Sequence, residues 1–354
     1  MMDYEASLKK YINVLAHEGG SDLHFSTGAH PTIRVSGSLS PMLKEGVLKP
    51  EDTLGFLKVL LSDEQLKTFS EAKEFDFAHE AEDGTRFRCN AYYQRGSIGI
   101  AMRLIPKTIR SVAELNLPDV LESFARKSQG FFLVVGPVGQ GKTTTLAALI
   151  ELINSERMEH IITIEDPIEY IHEPKQSLIE QREVGIDTED FATALLSAFR
   201  EDVDVILVGE MRGPATMAAA VTAAETGHLV FSTLHTNNAA QTIDRIIDTF
   251  PAGQQDQIRI QLAASLAGIF SQRLIPRISG GLIPVYELLI NNKAVANLIR
   301  EKRTHELNTI IETGSTEGMI DMNRSLAELV SRGEITIESA YAASLNPNLL
   351  QKLL

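Results

Sequence analysis

Apolar positions along this chain follow two different rhythms. In the first hundred or so residues they alternate or come in short groups. Residues 8–15 carry helical spacing, residues 22–25 and 32–35 are short stretches of strand character, and residues 51–70 return to helical spacing. Phe87, Cys89, Ala91 and Tyr93 then alternate with Arg86, Arg88, Asn90 and Tyr92, and Ile98, Ile100, Met102 and Leu104 alternate with Gly99, Ala101 and Arg103. A sustained period of two predicts strands with one buried face. Residues 1–105 therefore read as a small α+β domain. The segment 106–118, from Pro106 to Pro118 with the basic run Lys107-Thr108-Ile109-Arg110, reads as a linker. Beyond it the apolar residues cluster into continuous runs at 131–135, 161–164, 205–208 and 229–231, separated by helical stretches. Strands alternating with helices predict a parallel sheet covered on both faces. From about residue 255 the spacing of Ile258, Ile260, Leu262, Leu266 and Ile269 predicts a mostly helical tail.

The two alternating runs flank Gln94-Arg95-Gly96-Ser97. A two-residue loop at Arg95-Gly96 sets the register so that Tyr93 faces Ile98 and Arg88 faces Arg103. Two like charges directly opposite each other weaken a ladder. The pairing makes sense if an anion sits between them, which makes Arg88 and Arg103 candidates for facing a phosphate. The alternative is that both side chains splay into water, or that the loop is longer and the register differs.

Composition narrows the classes. A chain of 354 residues suggests about two or three domains. A formal net charge of −14 argues against a nucleic-acid coat, which needs an excess of lysine and arginine. Cys89 is the single cysteine, so intramolecular disulfides and multi-cysteine zinc sites are excluded. No run approaches the roughly 18 apolar residues of a membrane span. The start, Met1-Met2-Asp3-Tyr4-Glu5, lacks a basic segment followed by an apolar core. A cytoplasmic protein is expected, held at any membrane by a partner.

One motif carries specific chemistry. The apolar run 131–135 leads into Gly136-Pro137-Val138-Gly139-Gln140-Gly141-Lys142-Thr143, and a helical stretch begins at Thr144. This is the pattern G-x-x-x-x-G-K-[ST] in the right context, between a strand and a helix. Such a loop turns successive backbone N–H groups toward an anion, and the helix dipole adds positive potential there. Lys142 is expected to reach the outer phosphates of a nucleotide and the Thr143 hydroxyl to bind Mg²⁺. Acidic groups for metal and water belong at strand carboxyl ends near the loop. Ile164-Glu165-Asp166-Pro167-Ile168-Glu169 and Val208-Gly209-Glu210-Met211-Arg212 supply them. Glu210 is the choice to orient or activate the attacking water, and Glu169 or Asp166 to hold Mg²⁺ or its water shell. Asp166 before Pro167 also suits a helix N-cap. His228 and His235 flank the run 229–231, where one of them could sense a terminal phosphate.

Together these segments resemble the secretion-ATPase superfamily, and within it the PilT-type twitching-motility ATPases that retract type IV pili. The resemblance rests on Gly20-Ser21-Asp22-Leu23-His24, the phosphate loop, Thr163-Ile164-Glu165-Asp166-Pro167-Ile168-Glu169-Tyr170, Gln181-Arg182-Glu183-Val184, Leu207-Val208-Gly209-Glu210-Met211-Arg212, and Ala224 to His228 with Thr233-Leu234-His235-Thr236. It implies an α/β protein with a PAS-like N-terminal domain over 1–105 and a RecA-like ATPase domain over 119–354. It implies a homo-hexameric ring that hydrolyses ATP to ADP and phosphate, with Mg²⁺ at Thr143 and, through water, at Glu169. Nucleotide is then gripped between domains, and Arg88 and Arg103 match family positions that approach its phosphates. Glu210, Glu169, His228 and His235 match positions of importance. Gly209 stands where many phosphate-loop enzymes have aspartate, leaving Glu210 as the expected carboxylate. The implied partners are an inner-membrane pilus platform protein and a paralogous pilus ATPase, which would hold a cytoplasmic protein peripherally at the inner membrane.

Two positions depart from the family pattern. Gly213 stands where aspartate is usual, and in Ala294-Val295-Ala296-Asn297-Leu298-Ile299-Arg300-Glu301 the first arginine of the retraction motif is Ala296. They keep open an accessory, nucleotide-gated paralogue of weak turnover. A pilus-assembly or type II secretion ATPase is disfavoured by the single cysteine and by a phosphate loop starting as early as Gly136. A small-molecule phosphotransferase lacks an acceptor-binding signature.

Overall fold

The computed structural model describes residues 3–35, 37–105 and 107–354; Met1, Met2 and Pro106, which entered the reading of the N-terminus and the linker, lie outside the described residues. The chain forms two compact units, Met1–Thr108 with Pro167–Ile171, and Ile109–Asp166 with His172–Leu354.

In the first unit, Asp3 caps α1 (Tyr4–His17) by accepting from the Ala6 N–H, and Leu8, Tyr11, Ile12 and Leu15 form its buried stripe. Three strands follow, β1 (Gly20–Ser26), β2 (Thr32–Val35) and β3 (Ser38–Pro41). The expected single helix over 51–70 is two, α2 (Pro50–Leu60) and α3 (Asp63–Ala72). The break has a local cause. Ser62 is extended and accepts from the Gln65 N–H while the Gln65 side chain accepts from the Ser62 N–H, so a capping box starts a new helix there. Then come β4 (Glu74–Glu80), β5 (Arg86–Gln94) and β6 (Ser97–Ile105), giving an antiparallel sheet of order β3-β2-β1-β6-β5-β4.

The β5–β6 register is the expected one, Tyr93 opposite Ile98 and Arg88 opposite Arg103. Arg95 and Gly96 both have positive φ, 48° and 77°. That is the signature of a type I′ turn, whose twist matches the strands it joins. The inward face buries Phe87, Cys89, Ala91, Ile98, Ile100 and Met102 against Leu15, Phe25, Phe56 and Leu57. Burial pushes the Cys89 thiol up, so it stays protonated and serves as packing.

The second unit runs α4 (Val120–Ala125), β7 (Gly130–Val135), α5 (Lys142–Glu156), β8 (His160–Glu165), β9 (Leu178–Glu183), α6 (Phe191–Ala198), β10 (Val205–Val208), α7 (Pro214–Glu225), β11 (Leu229–Leu234), α8 (Ala239–Asp248), α9 (Ala252–Ser265), β12 (Leu266–Pro276), β13 (Leu282–Ile290), α10 (Lys293–Arg300), α11 (Leu307–Thr313), α12 (Met322–Ser331), α13 (Ile337–Ala343) and α14 (Pro347–Leu353). Its sheet order is β13-β12-β7-β11-β10-β8-β9, parallel except for the β12–β13 pair. The expectation of a mostly helical tail is corrected here. Helix α9 ends at Ser265, so Leu266 and Ile269 lie on β12, and β12 with β13 adds twenty strand residues. Short apolar runs read alike as buried helix or buried strand.

Strand β7 is buried throughout and serves two cores. Phe131, Leu133 and Val135 pack with α6 to α11, while Phe132 and Val134 pack with α4 and α5. Within the segment read as a linker, Val112 and Leu117 are buried in this second core. A separate small cluster joins α12, α13 and α14 to Ile275, Ile283 and Val285.

Glu287 on β13 is buried, accepting from the Ala239 N–H at 2.8 Å and the Ser271 hydroxyl at 3.4 Å. Burial pushes its carboxyl up to about 7. A carboxyl raised in the folded state contributes stability that is full below its unfolded value and lost as pH rises through about 7. Glu287→Gln is therefore expected to gain stability over the unaltered protein between pH 5 and pH 8, on the order of 2 kcal/mol at the upper end. Chemical denaturation at the two pH values checks this, and a difference that does not change with pH rejects it.

Candidate nucleotide site

The loop between β7 and α5 is shaped by three glycines with positive φ, Gly136 (151°), Gly139 (75°) and Gly141 (77°). Only at Gly136 is the space itself closed. A Cβ there would lie 2.3 Å from the backbone oxygen of Gln272. Lys142 is buried at the first turn of α5. Its ammonium donates to the carbonyls of Gly136 (2.8 Å) and Pro137 (2.9 Å) and approaches Nδ1 of His235 at 3.1 Å. The loop thus curls around a buried cation at a helix N-terminus, the chemistry of a phosphate cradle. Thr143 and Thr144 are half-buried beside it, and the tip residue Val138 is exposed.

Carboxyl ends of the neighbouring strands bring acidic and basic groups to the same end of the sheet. After β10, Gly209 packs tightly, because a Cβ there would meet the Ile164 carbonyl at 3.2 Å. Its N–H donates to that carbonyl, and its own carbonyl accepts from the Thr233 hydroxyl at 2.7 Å. Any larger residue there would need the β8 backbone to give by a few tenths of an ångström. Glu210 follows from this pinned turn. It pairs with Arg212, which also reaches Asp166 at 3.3 Å, and its other oxygen lies 3.5 Å from Nε2 of His235. Burial and the nearby Lys142 cation hold His235 below the usual histidine range, so its ring is neutral at pH 7. A Lys142 ammonium can only donate, so Nδ1 accepts and Nε2 carries the proton facing Glu210. Lys142, His235, Glu210, Arg212 and Asp166 form one chain. Asp166 does not cap a helix, as none begins there.

Arg88 and Arg103 are not arranged around one shared anion. Arg88 pairs with Glu169 at 3.0 Å, and Arg103 pairs at 3.0 Å with Asp22, its neighbour across β1. Each guanidinium has its own carboxylate, which removes the repulsion the register creates. Burial pushes the Asp22 carboxyl up, but hydrogen bonds from Ser21 and Arg103 outweigh it and leave the group below the usual carboxylate range. Glu169 belongs to the excursion Pro167–Ile171, which clusters with the first unit; the Ile168 carbonyl there accepts from Arg86. His228 lies at the opposite end of β11 from His235, about 20 Å away at about 3.3 Å per residue. Its Nδ1 meets the Ala223 carbonyl at 2.9 Å and its ring packs edge-on to Phe199. The two histidines do not meet within one chain. Among the described residues no group of three or more His, Cys, Asp or Glu could hold a metal by itself. Magnesium does not need one, since it commonly binds through one or two protein oxygens and substrate phosphates.

The sequence profile of the Type II/IV secretion system protein family matches residues 5–342. The chain belongs to that family. It is 44% identical over 325 residues to the Type IV pilus retractation ATPase PilT of Pseudomonas aeruginosa, covering 92% of this chain and 94% of that protein. It is 40% identical over 347 residues to the Type IV pilus ATPase PilU of the same organism, covering 98% and 91%. Among solved structures, a crystal structure of the pilus retraction motor PilT with bound ADP superposes with a TM-score of 0.89 at 44% identity, over 97% of this chain and 98% of that one. The second unit accordingly has the RecA-like fold of this secretion ATPase family.

Sequence reasoning overlooked Gln272. It is buried on β12, its amide donates to the Gln140 carbonyl at 2.8 Å, and it accepts from the Thr145 hydroxyl at 2.7 Å. Its signal was masked because the surrounding run was read as helix. Gln181 was quoted only within a motif; it donates to Glu165 and accepts from the His172 N–H, tying β9 to the end of β8. The departure at Gly213 leaves α7 without a side-chain cap, and Ala296 packs partly buried against the core.

Proposed function

We propose that this protein hydrolyses ATP to ADP and phosphate and that the work drives retraction of type IV pili. The observation that carries the reading is the buried Lys142 held inside the glycine loop with His235 and Glu210 beside it. The whole-chain likeness to the PilT structure with ADP supports it. In the proposed division, residues 1–105 are the PAS-like unit, 106–118 the link and 119–354 the ATPase.

The backbone from Gly136 to Lys142, with Thr143 and Thr144, takes the phosphates, which replace the Gly136 and Pro137 carbonyls as partners of Lys142. Thr143, with Glu169 through water, would hold Mg²⁺, which when bound would neutralise phosphate charge that builds during transfer. Glu210 accepts the proton of the attacking water. His235 fixes that carboxylate from one side and reports on Lys142 from the other. Arg88 and Arg103 exchange Glu169 and Asp22 for the outer phosphates, supplied by a neighbouring protomer in a hexameric ring. A nucleotide-bound ring with both arginines distant from every γ-phosphate ends that part of the reading. His228 acts at a protomer boundary rather than inside one chain. Partners are an inner-membrane pilus platform protein and a paralogous pilus ATPase. Peripheral attachment from the cytoplasm belongs to the same proposal; no described helix is long and apolar enough to cross a membrane.

A second reading is favoured by the departures at Gly213 and Ala296: an accessory subunit that binds nucleotide but turns over slowly. Steady-state ATPase of the purified protein, together with gene deletion in the native host, tests both. Retraction predicts steady turnover, and hyperpiliated, immobile deletion cells. Bald cells would point to assembly instead, and binding without turnover to the accessory role.

A further inference from the structure

We infer that Gln272 is a positioning residue for the phosphate loop, and that it works as a two-way clasp with Gln140. This rests on the ATP-binding reading above and extends it to a residue outside the loop.

The clasp begins where a ladder ends. Strands β7 and β12 pair in parallel up to Val135 and Ser271. The chain of β7 then turns away as the loop, while β12 continues to Pro276. Past Ser271 the β7 side of β12 has lost its backbone partner, and the loop takes over that role with one side chain. The Gln140 carboxamide oxygen accepts from the Leu274 N–H at 2.7 Å. In return Gln272, only 3% exposed, reaches the loop with its own carboxamide. Its Nε2 donates to the Gln140 carbonyl at 2.8 Å, and its Oε1 accepts from the Thr145 hydroxyl at 2.7 Å. Its backbone oxygen is the atom against which Gly136 lies. One residue therefore touches the entrance of the loop, its crown, and the first turns of the helix that follows.

The chemistry suits the task. A phosphate nest points N–H dipoles at a common centre, an arrangement that holds poorly without an external support. A neutral amide gives that support without adding charge that would compete with phosphate. Both of its ends are satisfied, so it is inexpensive to bury. Its loss would free the Gln140 carbonyl and let the crown relax, weakening every complex that uses the loop. Ground and transition states both contain the gripped phosphates, so the effect should fall on KM rather than kcat.

The test is nucleotide binding and steady-state kinetics on full-length variants. Gln272→Met keeps the volume and removes both hydrogen bonds. Its Kd for ATP and for ADP should rise about tenfold, the size expected when the bond to the Gln140 carbonyl is the one of the two that binding feels. KM should rise in parallel, with kcat within about threefold. Gln272→Glu should lose more at pH 8, where a carboxylate faces the Gln140 carbonyl. It should recover toward the unaltered protein, measured at the same pH, as pH falls to 6 and a protonated carboxyl again offers a donor. Wild-type affinity and KM in both variants, with only the melting temperature lowered, would overturn the proposal and leave Gln272 a core filler. Should Gln272→Met not fold, the pH comparison on Gln272→Glu carries the test, and a Kd equal to that of the unaltered protein at pH 8 overturns it equally. Failure of the unaltered protein to bind ATP overturns the underlying reading instead, and this one with it.

Discussion

Glu210→Gln is expected to lower ATP turnover by about two to four orders of magnitude while nucleotide affinity stays within a few-fold of the unaltered protein. The substitution keeps shape and removes the ability to take a proton. Affinity should survive because the phosphate contacts lie with the loop and Lys142, not with this carboxylate. The neighbouring acid is no substitute. Glu165 is buried, and its Oε1 accepts from the Thr163 hydroxyl at 2.7 Å and from Gln181 at 3.2 Å, which ties this carboxylate into the sheet. Glu210 instead leaves the sheet through the pinned Gly209 turn and is aimed by His235 and Arg212. Phosphate release and fluorescent-nucleotide titration on the same preparation separate the two effects. Ordinary turnover in the glutamine variant would remove Glu210 from the mechanism, and equal loss of binding and turnover would make it a binding residue.

The legible parts of this protein were those whose signal is local. Strict alternation on either side of Arg95-Gly96 pointed to the β5–β6 register, since a two-residue loop there pairs Tyr93 with Ile98, as the fold does. The glycine loop was legible because strained backbone needs specific residues. Long-range partners were not. Nothing near Arg88 announces Glu169, 81 positions away, and nothing near Arg103 announces Asp22. Hence the carboxylates beside the two opposed arginines, Glu169 and Asp22, were not foreseen. Strand β3 escaped notice because all four of its residues are exposed, leaving no alternation to detect. Edge strand β9 shows only Ile179 and Glu183 buried, again too little to carry a period. Strand β12 failed for the opposite reason: its first half, residues 266–270, is apolar on both faces, and Leu266 and Ile269 happen to sit three apart.

Gly136→Ala should abolish nucleotide binding, raising Kd at least a hundredfold, and should lower stability by roughly 3 kcal/mol or more. Two costs coincide at this position. The backbone has φ of 151°, which an L side chain rarely adopts, and the new Cβ would lie 2.3 Å from the Gln272 carbonyl oxygen. A flexible side chain could swing aside, but a backbone carbonyl within β12 cannot. The contact is relieved only if the loop lifts away from the strand. Lifting moves the Gly136 carbonyl from Lys142 and breaks the bond from the Gly136 N–H to the Leu234 carbonyl, so cradle and cation are displaced together. Gly139→Ala in the same loop is the comparison. It too has positive φ, 75°, but nothing lies within 4 Å of its Cβ. Its thermal stability should fall by only about 1–2 kcal/mol, the cost of a left-handed residue alone. Melting curves of the two variants, with and without ADP, measure the difference. Equal melting temperatures, or an ADP-induced rise in Gly136→Ala as large as in the unaltered protein, would mean that the loop does not rest on β12 as described.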